Sequence, residues 1–236
     1  IIKDNGKGFR SLTEIKECFN VFGFDHTGQD RTYGQFGIGR AQMWNFCSTL
    51  WRTNTFSMDV DIKNKGLDYQ IKENLEQSDG LTIIGKFYET QTTTDLNHFQ
   101  TELAMLAKYA QADVLLNNKI INKKPEKIKW QYETDEAWID LKEHGELVVY
   151  NLGVKVKSFY CSAFGCGGTI VTKPNVRLAL NMARNDILVS ECSVWKKLSK
   201  DIQKLSNNNI AKESGKKALS NDQVKNIISQ MFNNDY

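Results

Sequence analysis

The chain has 236 residues, 40% apolar and 25% charged, ordinary values for a globular protein and enough for one large domain or two small ones. Its 31 basic and 28 acidic side chains leave a net charge of +3, too balanced to mark a nucleic-acid binder by itself. No apolar run approaches the roughly 20 residues of a membrane helix. The charged pair Lys3-Asp4 stands where a signal peptide would have its apolar core. The expectation is a cytoplasmic protein with no membrane partner.

Cysteines 18, 47, 161, 166 and 192 show no zinc spacing, and His26, His98 and His144 are scattered. They read as reduced thiols and isolated imidazoles, with no metal site.

The chain begins at Ile1, inside what reads as a strand, and is taken as a fragment. Ser11 with Glu14 forms a capping box, and Leu12, Ile15, Phe19 and Phe22 recur at helical spacing, so a helix is expected over 12–22. Glycines 23, 28 and 34 among polar residues mark 23–36 as a loop. A second, buried helix is expected from Gly39 to about Trp51, because apolar groups fall on most of its circumference. Period-two segments at 55–62, 68–71 and 80–87 predict an antiparallel sheet covered on one side by the two helices.

A new pattern starts near residue 95. Phe99, Leu103, Leu106 and Ala110 outline a helix; strand-like runs follow at 113–121, 127–132, 136–142 and 146–160. After the glycine cluster Gly165-Cys166-Gly167-Gly168 come a short strand over 169–172 and a helix candidate from Val176 to Met182. Val194, Leu198, Ile202 and Leu205 mark another helix. Residues 206–219 read as a polar linker, and Ser220 with Gln223 caps a short terminal helix. The organisation expected is α+β: one domain over 1–94, a smaller one over 95–205, and a linker with helix over 206–236.

Two glycine motifs carry the chemistry. In Asp4-Asn5-Gly6-Lys7-Gly8, a carboxylate at a strand end can accept a hydrogen bond from the exocyclic amine of adenine. The glycines let backbone pass close to a flat ring. Asp, Asn and Gly are also the residues of an ordinary tight turn. In Gly34-Gln35-Phe36-Gly37-Ile38-Gly39, glycine-rich backbone feeding a helix N-terminus presents amide groups to a phosphate. Neither a Walker lysine nor the dinucleotide spacing is present.

The ordered pair of motifs resembles the GHKL superfamily, which includes gyrase B, the ninety-kilodalton heat-shock chaperone, histidine kinases and MutL. The Gly34–Gly39 string is most similar to the chaperone branch. Gly80-x-Thr82-Ile83 resembles a third motif, whose threonine lies under the adenine. Residues 178–186 resemble a chaperone segment in which an arginine reaches the γ-phosphate, a role that falls here on Arg184; Lys173, after the glycine cluster, is a rival phosphate contact.

The resemblance implies a Bergerat-type α/β sandwich over residues 1–94 followed by a transducer-like α+β domain. It also implies ATP with Mg2+, and an ATPase whose conformational switching dimerises or engages a protein partner. Adenine contacts would come from Asp4, Gly6, Gly8 and Thr82, and phosphate contacts from Gly34, Gln35, Phe36, Gly37, Ile38 and Gly39. The superfamily's magnesium ligand and general base belong to a motif placed before Ile1, so neither is assigned. A chaperone-like protein remodeller is the leading reading of purpose. A MutL- or topoisomerase-like DNA-transaction ATPase, favoured by the lysines between 119 and 129, and a nucleotide-binding scaffold without hydrolysis are the alternatives.

Overall fold

A computed structural model describes residues 1–20 and 39–214, together with 221, 224, 225 and 228. The chain is α+β and divides into two compact units, Ile1–Thr93 and Thr94–Tyr236.

In chain order the first unit contains β1 (Ile2–Asp4), α1 (Leu12–Asn20), α2 (Gly39–Trp44), β2 (Cys47–Asn54), β3 (Phe56–Val60), α3 (Ile62–Lys65), β4 (Tyr69–Lys72) and β5 (Ser78–Phe87). Its five strands form one antiparallel sheet in the order β1-β5-β2-β3-β4. The capping box forms at α1, where the Glu14 N–H donates to Ser11 Oγ at 3.1 Å and Glu14 Oε2 accepts from the Arg10 N–H at 2.8 Å. Ile15 and Phe19 of α1 and Trp44 of α2 pack on Trp51, Met58 and Val60 of the sheet. The Phe19 ring lies at the centre of this core, with the Trp51 ring 5.1 Å and the Trp44 ring 5.8 Å away.

The second helix is shorter than the sequence suggests. From Cys47 the chain is strand, with Cys47, Thr49, Trp51 and Thr53 buried and the residues between them more exposed. The misreading has a local cause: two threonines occupy inward positions, so the period of two is hidden from hydropathy alone. Thr49 Oγ1 accepts from the indole N–H groups of both Trp44 and Trp51, at 2.8 Å each, which is how a buried hydroxyl is tolerated there.

The second unit contains α4 (Thr93–Leu106), the hairpin β6 (Leu115–Leu116) and β7 (Lys119–Ile120), β8 (Tyr132–Glu133), β9 (Ala137–Lys142), β10 (Leu147–Asn151), β11 (Val154–Phe159), β12 (Gly167–Thr172) and α5 (Ser193–Ser214). Its main sheet runs β11-β10-β12-β9-β8, with β10 and β12 parallel and the other pairs antiparallel. Trp195, Leu198 and Ile202 of α5 cover one face against Ile139, Leu147, Val149 and Ile170. Tyr109, Tyr150 and Val171 form a smaller core with Trp130 and Trp138.

Two further expectations are corrected. Residues 176–182 are not helical, since Leu180 pairs with Ile187 in an antiparallel bridge around a tight turn. Nor is 206–214 a linker, because α5 continues to Ser214, pinned where the Tyr132 hydroxyl donates to Asn209 Oδ1 at 2.6 Å. The loop expected over 23–36 and most of the terminal helix lie outside the described residues.

Candidate functional site

Asp4 closes β1, with its backbone opposite Leu81 of β5. Its Oδ1 accepts from the Gly6 N–H at 2.8 Å and the Leu81 N–H at 3.2 Å. The first bond makes an Asx turn; the second ties the carboxylate to the next strand. Because β1 is an edge strand, the side chain is exposed. Oδ2 has no hydrogen-bond partner among the described residues.

Two glycines hold the surrounding backbone in conformations that a side chain would forbid. Gly80 has φ +63°, and a Cβ there would collide with the Asp4 carbonyl oxygen. Gly8 has φ +60°, and a Cβ there would strike Thr53 Oγ1. Thr53 is fully buried. Its hydroxyl accepts from the Phe9 N–H at 2.9 Å and donates to the Gly80 carbonyl at 3.0 Å. The Asn54 amide donates to the Phe9 carbonyl at 2.8 Å. These bonds fasten the glycine turn after β1 to both β2 and β5, bringing Asp4, Gly6, Gly8 and Gly80 together.

Thr53 and Asn54 were not found from the sequence. A polar residue at an inward position of an alternating strand was the available signal. Thr82, which was expected beside Asp4, lies on the other face of β5. It pairs with Lys3 and Arg52, whereas Leu81 and Ile83 point into the core. Strand alternation is the physical reason: of two adjacent residues only one can share the Asp4 face, and here it is Leu81.

Gly34, Gln35, Phe36, Gly37 and Ile38 lie outside the described residues. Gly39 opens α2, and a Cβ on it would meet nothing within 4 Å. The next residue, Arg40, places its guanidinium 5.8 Å from the Phe19 ring centre, and burial lowers its pKa.

In the second unit, Arg184 occupies the turn between Leu180 and Ile187 in the left-handed region, at φ +57°. Asn181 Oδ1 organises this turn by accepting from the Asn185 N–H at 3.1 Å and the Asp186 N–H at 3.3 Å. Partial burial lowers the Arg184 pKa. Lys173 follows β12 and pairs with Glu133 at 2.7 Å, 5.9 Å from the centre of the Trp138 ring.

Among the described residues, no group of three or more His, Cys, Asp or Glu side chains can hold a metal ion. Nor is any helix among them long and apolar enough to cross a membrane. In comparison with known proteins, no family model matches the chain and no curated protein matches it.

Proposed function

We propose that the first unit is a Bergerat-type site that binds ATP, with Asp4 as the acceptor for the adenine amine. The observation that carries this reading is the Asp4 carboxylate itself, held through Oδ1 by two backbone N–H groups while Oδ2 keeps its hydrogen-bonding capacity. A carboxylate fixed in this way needs no reorganisation to receive a donor. Gly6 and Gly8 leave backbone without side chains beside it. The resemblance gives the phosphates to Gly34–Gly39, ahead of α2. Mg2+ would enter on the phosphates, since that ion commonly takes only one or two protein carboxylates alongside substrate oxygens.

ATP hydrolysis coupled to conformational switching completes the reading, with self-dimerisation or a protein partner as its consequence. The resemblance gives the cation for phosphoryl transfer to Arg184, whose guanidinium would offset the charge that develops there, with Lys173 as its rival. Accordingly, Arg184→Ala should slow turnover at least tenfold and leave nucleotide affinity unchanged.

Base selectivity tests the assignment. ATP should displace a fluorescent ATP analogue at concentrations where GTP does not, because a guanine carbonyl would face the Asp4 carboxylate. Equal displacement by the two nucleotides would remove Asp4 as the base-reading group.

A further inference from the structure

Positive charge gathers in two stretches of the chain, 107–130 and 196–217. Residues 107–130 hold six lysines, at 108, 119, 123, 124, 127 and 129, against Asp113 and Glu126, an excess of four. The whole chain carries +3, so the remainder is −1.

The fold gathers these residues. Asn122, buried, donates through its amide to the carbonyls of Ala110 and Ala112 and accepts from the Val114 N–H, closing the loop on itself. The Lys123 N–H donates to the Lys108 carbonyl at 2.8 Å, so the two chain ends meet. Lys124 pairs with Asp113, and Lys127 also acts on that carboxylate.

The hairpin β6–β7 rises from this base through Asn117 and Asn118, both at positive φ. One face of the ribbon carries Val114, Leu116 and Ile121, which are half-buried. On a ribbon packed by that face, the opposite one should be polar. Instead it presents Leu115 and Ile120, directly paired and 57% and 62% exposed.

We propose that this hairpin is a membrane-surface contact, in which Leu115 and Ile120 enter the headgroup boundary of an anionic bilayer and lysines of the same stretch meet its phosphates. A nucleic-acid backbone would account for the lysines but gives a paired Leu and Ile nothing to contact. An exposed aliphatic pair on a stretch with an excess of four positive charges fits a lipid interface, where apolar insertion and attraction to anionic headgroups act together. This departs from the sequence expectation that no membrane takes part, which rested on the absence of a spanning segment; a peripheral contact needs none.

The test is co-sedimentation of the full chain with vesicles of phosphatidylcholine alone or containing phosphatidylserine. Binding should require phosphatidylserine and weaken as salt rises. Each lysine lost should cost about fivefold in affinity, so changing Lys119, Lys123, Lys127 and Lys129 together to Gln should reduce binding at least about 100-fold. Leu115→Ser with Ile120→Ser, exposed changes that leave the far-UV circular dichroism intact, should reduce it at least about tenfold. Three results would overturn the proposal: no binding to either vesicle, vesicle binding indifferent to the Leu115/Ile120 change, or binding to duplex DNA that outcompetes the vesicles.

Discussion

Asp4 is placed by its neighbours rather than by its own strand. Gly80→Ala would put a methyl group against the Asp4 carbonyl and strain a residue at positive φ. It should destabilise the first unit by about 2–4 kcal/mol in urea unfolding and weaken nucleotide binding. Thr53→Val keeps the shape of the side chain but removes one donor and one acceptor from a buried position. A loss of about 1–3 kcal/mol is expected, and a smaller one would mean that the glycine turn is held by strand pairing alone. The turn formed by the aspartate and its glycines was legible in the sequence, because these are the residue types of a tight turn. Thr82 was misplaced because proximity in sequence does not decide which face of a strand a side chain occupies.

The strands of both units were readable wherever inward positions were apolar, as in β3, β9 and β10. They were hidden in β2, where Thr49 and Thr53 take inward places. The stretch after β12 defeated the periodicity in the opposite way. Val176, Leu178 and Leu180 lie within the run expected as a helix and Leu178 is indeed buried, but Asn181 supplies side-chain hydrogen bonds that satisfy a turn instead. α5 shows a capping device that the sequence reading passed over. Cys192, 3% exposed, accepts at Sγ from the Trp195 N–H and the Ala179 N–H, at 3.3 Å each. Cys192→Ala should therefore cost about 1–2 kcal/mol, and Cys192→Ser, which restores an acceptor, should cost less. Equal losses in the two variants would show that packing rather than capping accounts for the cysteine.

Stability of the whole molecule should depend on pH at both extremes, and groups of the second unit contribute at each. Hydrogen bonds from Lys197 and Lys157 hold Glu136 and Asp186 below the usual carboxylate range. Carboxylates depressed in this way stabilise the fold above their unfolded pKa values and lose that contribution as pH falls through the folded ones. Burial acts in the opposite direction on Tyr150, pushed up to about 12, and on Cys166, pushed up to about 11. Both remain protonated when folded at a pH where the unfolded chain has released the proton. Their contribution is complete below the unfolded pKa and is lost as pH rises through the folded value. Tyr150→Phe should flatten the alkaline loss measured by denaturant unfolding between pH 9 and 12; an unchanged slope would assign that loss to other groups.

The most direct measurement of the central claim is calorimetric titration of the chain with ATP in the presence of magnesium, alongside Asp4→Asn. The account predicts binding by the native chain and a loss of at least about 100-fold in the variant, since an amide returns a donor toward the adenine amine where an acceptor is needed. Equal affinities in the two proteins, or no heat of binding in either, would contradict it and leave Asp4-Asn5-Gly6-Lys7-Gly8 as a turn that serves only the fold.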